Sequence, residues 1–327
     1  MATVETLVFD LKSKHRLLTA AKRYLVPHAS PATPDALTLL FVHSTHTCKE
    51  YWEPTIDDFL DLASARPGYH GVQEMWAVDS PYHGDTALLN PNAPQRPYPG
   101  PFEDWEQWLR AVLEHDSLRS RRIVLIGHSM GAAVLPLAIT REPRPPNVVA
   151  LILVEPVALH SVEAWKKLAR VLPEGARRRG HRFGSREEAL EHFRILPHWR
   201  GYDERIVRVY VDHTFAPLKG GGIASKCTME REIECYNDMD GLYRVFQSLR
   251  PAAQAVPMHV IMAEGDRFAG PDFKENLLNG ALGPNGKPAS VSTILDAEHE
   301  VVQQKPREVA LHILEALVAL DSPRATL

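Results

Sequence analysis

The sequence predicts an α/β protein with a mostly parallel, doubly wound sheet, and two observations lead to this prediction. First, four short apolar runs are each followed by glycine, histidine or an acidic residue, which is typical of strands buried on both faces. Second, amphipathic helical patterns such as Phe102–His115 separate these runs. Such alternation is characteristic of a doubly wound parallel sheet. The four runs are Leu37–Val42, Ile123–Ile126, Val148–Val154 and His259–Ala263.

Weaker patterns complete the predicted sheet. Gln73–Val78 and Ser290–Leu295 are predicted strands, and the second leads into an amphipathic final helix over Pro306–Leu320. Near the amino terminus, Thr6–Phe9 and Tyr24–Val26 fit an antiparallel hairpin at one edge of the sheet. The chain is therefore predicted to start and end on the same sheet.

One stretch interrupts the alternation of strands and helices. From residue 158 to 255, about a hundred residues separate two consecutive core strands, where a βα unit needs only a few tens. We predict a core of residues 1–157 and 256–327, with a helical cap of residues 158–255 inserted after the sixth strand. Ligands of such folds bind at the carboxyl ends of the strands, so the cap should roof the site. The predicted cap helices are Ser161–Leu172, Arg186–Phe193, Tyr202–Thr214 and Thr228–Leu249.

Composition sets limits on the partners. The 327 residues carry a formal net charge of -4, which argues against nucleic-acid and membrane-surface partners. No window approaches the length of a membrane span. Three cysteines at no metal-ligand spacing, no apolar leader and no S-K-L tail lead us to expect an intracellular, cytoplasmic protein. The charge run 177–179 is expected to be solvated rather than to bind an anionic substrate. No feature predicts an oligomeric state.

The strongest local signal is the segment 127–131, Gly-His-Ser-Met-Gly, which follows Ile123–Ile126 and leads into the helical pattern Ala132–Ile139. Strand before and helix after are the context of a nucleophile elbow, a sharp turn that exposes the serine hydroxyl at its tip. The glycines allow the close backbone approach that the turn needs. The segment therefore predicts Ser129 as a nucleophile.

A serine nucleophile needs a base. In folds with this elbow the base lies on a loop after the last strand. His299 has that position, between the predicted strand Ser290–Leu295 and the predicted helix Pro306–Leu320. Most of the other histidines lie on predicted helices or loops, where packing or solvation accounts for them. The sequence thus predicts His299 as the base.

Two carboxylates compete for the third role, which is to orient the imidazole and stabilise its charged form. Glu155 ends the strand Val148–Val154, and Asp266 follows the strand His259–Ala263. Both satisfy the order serine, acid, histidine. Asp266 has the position that most hydrolases with this elbow use, whereas Glu155 is the more buried by context. These residues alone leave the choice open.

Backbone amides are the expected oxyanion donors. The N–H of Met130 lies at the amino terminus of the helix after the elbow, and the second donor is predicted to be the N–H of Thr45, with Ser44 as the alternative. His43 and His46 have a spacing found in metal sites, but no third ligand lies nearby, and His43 is expected to brace the loop. No metal and no cofactor is implied.

Taken together, these residues resemble the α/β-hydrolase superfamily, and within it a fungal group that includes toxin-biosynthesis hydrolases and the acyl-CoA thioesterase of the mycophenolic acid pathway. The segment 43–54, HSTHTCKEYWEP, is similar to that group's H-G-x-G-x-x-K-E-x-x-E-P, and the segment 151–157, LILVEPV, parallels its L-L-L-D-P. The resemblance implies the α/β-hydrolase fold and a triad acid at Glu155. The chain departs in having glutamate there instead of aspartate and in keeping Asp266. On balance the resemblance favours Glu155.

The function predicted from these features is hydrolysis of a small-molecule carboxylic ester, lactone or acyl thioester through an acyl-serine intermediate. A carbon–carbon bond hydrolase with the same triad is an alternative. A hydrolase-like binding protein without activity is an alternative of a different class. Specificity should reside in the cap, where most of the aromatic residues are expected to pack in the cap core. These aromatic residues are Trp165, Trp199, Tyr210 and Tyr236.

Overall fold

The structure, a computed structural model, describes residues 2–26, 36–66, 71–92, 100–159, 162–265, 274–282 and 287–321. Its strands are β1 (Thr3–Asp10), β2 (Leu18–Leu25), β3 (Leu37–Val42), β4 (Val72–Val78), β5 (Arg122–His128), β6 (Val148–Val154), β7 (Arg182–Phe183), β8 (Phe215–Pro217), β9 (Ile223–Ser225), β10 (Met258–Ala263) and β11 (Ser290–Ile294).

The strands form a main sheet of eight in the order β1-β2-β4-β3-β5-β6-β10-β11 and a small sheet of three in the order β7-β9-β8. In the main sheet β3 pairs in parallel with both β4 and β5, and β6 pairs in parallel with β5 and β10. Among the described strands of this sheet only β2 runs against the others, because it pairs antiparallel with both β1 and β4. The predicted mostly parallel, doubly wound sheet is confirmed.

The described α-helices flank this sheet or lie in the segment between β6 and β10. No described helix combines the length and the apolar character that a membrane span requires. The helices are α1 (Glu53–Ser64), α2 (Gly84–Leu89), α3 (Pro101–Leu113), α4 (Met130–Thr140), α5 (Val162–Arg178), α6 (Arg186–Ile195), α7 (Glu204–Thr214), α8 (Met229–Asn237), α9 (Met239–Ala255), α10 (Val301–Gln304) and α11 (Pro306–Asp321).

The main sheet is buried on both faces because its central strands are largely apolar. Along β5, Ile123 and Leu125 point to one face and Val124 and Ile126 to the other, as expected from the alternation of side chains in a strand. Helices α3, α4 and α9 cover the first face, and α1 and α11 cover the second. This double cover holds the carboxyl ends of the strands, and the loops that follow them, at one rim.

The segment between β6 and β10 contains the helices α5 to α9 and the small sheet. A separate apolar cluster holds its middle part together, and Trp199 and Tyr210 are both 3% exposed within it. The side chain of Trp165 lies outside the described part of the structure. Helix α9 packs against α4 and so belongs to the cover of the main sheet.

The predicted single helix over Thr228–Leu249 is wrong, because the structure has two helices, α8 and α9, with a break at Asp238. The Asp238 carboxylate accepts the N–H of Gly241 at 2.9 Å and so caps α9. It also accepts the N–H of Phe102 at 3.0 Å, which ties the break to the start of α3. The small sheet was not predicted, because its strands have only two or three residues.

Candidate active site

Ser129 lies at the tip of the turn between β5 and α4. Its backbone adopts φ 54° and ψ -119°, a conformation that is strained for a residue with a side chain. Two hydrogen bonds hold it there: its N–H donates to the carbonyl of Val154 at 3.0 Å, and its carbonyl accepts from Ala133 at 2.9 Å. The turn thus projects the hydroxyl beyond the carboxyl end of β5.

The two glycines of the elbow are required by close contacts. A Cβ on Gly127 would lie 2.5 Å from backbone atoms of Gly131. A Cβ on Gly131 would lie 2.4 Å from the carbonyl oxygens of Val42 and His43. These approaches leave no room for a side chain. They bring the elbow against the end of β3, so the loop after β3 lies beside Ser129.

His299 lies on the loop after β11, and its imidazole reaches both Ser129 and Glu155. The Ser129 hydroxyl lies 2.9 Å from Nε2, and Nδ1 lies 3.1 Å from Oε2 of Glu155. Because the carboxylate accepts from Nδ1–H, Nε2 is left as the acceptor for the serine proton. The loop is fixed in turn by His128, whose Nε2–H donates to the His299 carbonyl at 2.9 Å.

Glu155 directly follows β6 and is 5% exposed. Its N–H donates to the Ile261 carbonyl at 2.9 Å, and its backbone has φ 46°. Oε1 accepts the N–H of Ala263 at 2.6 Å, which leaves Oε2 for His299. Asp266, the other candidate acid, lies outside the described residues.

The charges in this group favour an ionised Glu155 carboxylate and make the His299 imidazole more basic. Burial disfavours the Glu155 carboxylate, but the His299 hydrogen bond and the positive charge of Lys274 outweigh it and lower the pKa of Glu155. For His299, burial opposes the charged form, while the hydrogen bond to Glu155 prevails and raises the pKa above its usual 6.5. Burial lowers the pKa of His128 to about 3, so His128 stays neutral.

Thr45 and Met130 both line the cavity onto which Ser129 opens. Met130 is the first residue of α4, so its N–H has no acceptor within the helix. The carbonyl of Ser44 accepts from the Thr47 hydroxyl at 2.8 Å and from Nδ1–H of His43 at 2.7 Å. Because the peptide between Ser44 and Thr45 is planar and trans, the N–H of Thr45 points the opposite way from that carbonyl.

Contacts within the protein brace the loop after β3. Nε2 of His43 accepts the N–H of Ser80 at 3.0 Å. Nδ1 of His46 lies 3.5 Å from Glu232 of α8 and 3.4 Å from the hydroxyl of Tyr236. Across the residues that the structure describes, no group of three or more His, Cys, Asp or Glu could hold a metal ion.

The arginine run of residues 177–179 divides between surface and interior. Arg177 and Arg178 are exposed and paired with Glu174. Arg179 is largely buried and lies 2.5 Å from Glu232, which also accepts from Tyr236. The third arginine therefore holds α8 against the end of α5, and the run as a whole is not a solvated strip.

Lys274 is a site residue that the sequence did not indicate. Its Nζ lies 3.2 Å from Oε1 of Glu155 and donates to the carbonyl of Gly265 at 2.8 Å. A single lysine far along the chain from Glu155 forms no local pattern, so no motif could have indicated it.

The cavity above Ser129 encloses about 1010 Å³ when its open mouth is included. Residues at the carboxyl ends of the main-sheet strands form its floor, whereas α5, α8 and α9, which lie between β6 and β10 in the chain, form much of its wall. Polar groups at the wall include Tyr236, Glu300 and Gln303. The remainder is mainly apolar, with side chains from Phe102, Val157, Leu168, Leu172, Leu242 and Met262.

Strand order, elbow and cavity define the class of protein as an α/β-hydrolase. Residues 39–311 match the model of the alpha/beta hydrolase family. The chain therefore belongs to the α/β-hydrolase family. No curated protein sequence matches the chain significantly.

Solved structures share this fold at low sequence identity. A peroxisomal α/β-hydrolase of Saccharomyces cerevisiae is 18% identical with a TM-score of 0.74, and the match covers 100% of this chain and 91% of that chain. An esterase of Mycobacterium tuberculosis is 17% identical with a TM-score of 0.65, covering 97% and 92%. The thioesterase domain from the curacin biosynthetic pathway is 15% identical with a TM-score of 0.64, covering 96% and 99%. At these identities the similarity concerns the fold.

Proposed function

We propose that this protein is a serine hydrolase that cleaves a carboxylic ester, lactone or acyl thioester of a small molecule. One observation carries the proposal: hydrogen-bond distances of 2.9 Å and 3.1 Å link the Ser129 hydroxyl, the His299 imidazole and the Glu155 carboxylate in a row. The row ends at a hydroxyl on a cavity. This is the arrangement that makes a serine nucleophilic.

The reaction then proceeds in two steps. Ser129 Oγ attacks the carbonyl carbon while its proton moves to Nε2 of His299, and the N–H groups of Thr45 and Met130 stabilise the oxyanion. His299 gives the proton to the departing alcohol or thiol, which leaves an acyl group on Ser129. Water attacks this ester by the same route, which releases the acid and restores the serine. Glu155 stays ionised throughout and stabilises the imidazolium.

The cavity wall indicates the kind of substrate. The cavity wall includes Leu168, Leu172 and Leu242 of the predicted cap. An uncharged, apolar acyl or alcohol group would therefore bury more apolar surface there than a polar one. The arginine run does not favour a phosphorylated carrier, because Arg177 and Arg178 are paired with Glu174 and Arg179 with Glu232. We therefore favour a neutral apolar ester or lactone over an acyl-CoA.

The proposal is tested by hydrolysis of a panel of aryl esters, macrolactones and acyl-CoA thioesters with the wild-type protein and Ser129→Ala. We expect turnover of at least one apolar ester, and a loss of roughly 10⁴-fold or more in Ser129→Ala. The matched control is Ser248→Ala, a buried serine that bonds the Val245 carbonyl, away from the cavity. Ester turnover that survives in Ser129→Ala would overturn the proposal.

A further inference from the structure

Lys274 contacts residues that are not its neighbours in the sequence. It lies just before a π-helical turn, Asn276–Gly280, and its side chain is only 18% exposed. Its Nζ donates to the carbonyls of Ala263 and Gly265 and lies 3.2 Å from Oε1 of Glu155. An ammonium group has three N–H donors. Two of them have carbonyl acceptors and the ammonium group also pairs with Glu155, so the side chain is held in place.

These contacts fix the Glu155 carboxylate from the side opposite His299. Oε1 is held by the Ala263 N–H at 2.6 Å and by Lys274, and Oε2 faces Nδ1 of His299 at 3.1 Å. The two oxygens thus have separate partners. A carboxylate held in this way cannot rotate without breaking a buried ion pair, which is costly.

We propose that Lys274 is a positioning residue that holds Glu155 toward His299 and sets the pH range in which His299 acts as a base. This inference rests on the proposed serine hydrolase function. Lys274 would be a fourth side chain beside Ser129, His299 and Glu155, and it would act through Glu155.

The charged groups around His299 give the direction of the effect. Glu155 and the neighbouring Glu300 favour the imidazolium, whereas Lys274 disfavours it. His128, which faces His299 from β5, stays neutral and contributes no net charge. When the Lys274 charge is removed, the two carboxylates still favour the imidazolium and the lysine no longer opposes them. The pKa of His299 should rise, and more of the base should be protonated at neutral pH.

The test measures the rate at which a fluorophosphonate labels Ser129 between about pH 5 and pH 9. This reaction needs a neutral His299 but no knowledge of the substrate. In Lys274→Met we expect the acid limb of the rate profile to move to higher pH by about half a unit or more. In Lys274→Arg, which keeps the charge, the limb should stay near its wild-type position.

The matched control is Lys287→Met. Lys287 is exposed and precedes β11, so it lies at the amino end of this strand, whereas the His299 loop lies at the carboxyl end, and its removal should leave the profile unchanged. If Lys274→Met does not fold, Lys274→Gln replaces it in the comparison with Lys274→Arg. An acid limb that stays in place in a folded Lys274→Met or Lys274→Gln protein overturns the inference about Lys274. Absence of labelling in the wild-type protein would instead overturn the proposed function.

Discussion

Two groups of mostly buried polar side chains, the His299 cluster and the Lys49 cluster, each contain a lysine paired with carboxylates. The His299 cluster consists of Ser129, Glu155, Lys274 and His299. The Lys49 cluster consists of Lys49, Glu50, Asp79 and Asp85. In the second cluster Lys49 Nζ lies 2.9 Å from both Asp79 and Glu50 and 2.7 Å from Asp85, so all three of its N–H groups have acceptors.

The difference between the two clusters lies in where they end. The Lys49 cluster ends away from the cavity: Lys49 and Asp79 are 0% exposed, Asp85 reaches the protein surface, and none of the four residues lines the cavity. The Asp79 carboxylate also accepts the N–H of Lys49 at 2.8 Å and of Asp85 at 2.7 Å, which joins two loops. The His299 cluster ends instead at a hydroxyl that faces the cavity. A buried charged cluster by itself therefore indicates a role in stability. A buried charged cluster that leads to a nucleophile at a cavity indicates a role in catalysis.

Of the changes that test this contrast, His299→Ala is expected to have the largest effect on activity. Without the base, the rate of ester hydrolysis should fall by roughly 10⁴ to 10⁶-fold, with little change in the melting temperature. The control is His312→Ala, which removes a histidine paired with Glu315 on α11. Steady-state kinetics and thermal unfolding of both variants check this prediction. Equal rates of ester hydrolysis in the two variants would contradict a catalytic role for the His299 cluster.

The next effect concerns the acid. Glu155→Gln keeps the shape of the side chain but cannot stabilise the imidazolium, so kcat should fall by roughly 10³ to 10⁴-fold. Asp266→Asn, the matched change at the other candidate acid, should lower kcat by less than about tenfold. Measuring kcat for both variants on the same ester decides the matter. The reverse order would assign the role to Asp266.

In the Lys49 cluster the expected loss is in stability. Lys49→Met would leave Asp79 as a buried charge without its lysine and Glu50 with Lys22 alone of its two lysines, at a cost of about 3 to 5 kcal/mol in the free energy of unfolding. Denaturant unfolding measures this value, with Lys12→Met, an exposed lysine, as the control. The folded fraction should still react with a fluorophosphonate. A stable Lys49→Met protein without labelling would place Lys49 in the chemistry.

The smallest effect is expected from pH. Because the pKa of His299 lies above 6.5, the base becomes protonated as the pH falls through that raised pKa, and kcat/KM should then fall by up to about tenfold per unit. Although burial opposes the charged form, Lys49 and Lys22 lower the pKa of Glu50 to about 2, below its usual 4.5. The stability that Glu50 contributes is therefore present above pH 4.5 and is lost only as the pH falls toward 2. Activity should thus decline before the melting temperature does; parallel decline of both would contradict this separation.

The fold was predictable because its signals are local. The apolar run Val148–Val154 and the glycines around Ser129 each follow from the chemistry of a few adjacent residues. The break at Asp238 was not predictable, because one of its stabilising contacts is to Phe102, in a distant part of the chain. Lys274 escaped prediction for the same reason, since its contact with Glu155 joins distant residues. Long-range polar contacts leave no periodic trace in a sequence.

The central claim is that Ser129 carries the acyl group during turnover. It is tested most directly by mixing the wild-type protein with an activated aryl ester, quenching in acid, and locating the acyl group by peptide mass spectrometry. We expect a burst of the aryl alcohol with the acyl group on the peptide that contains Ser129, and neither in Ser129→Ala. Steady turnover with no acylated Ser129, or no acylation and no turnover of any ester, would contradict the account.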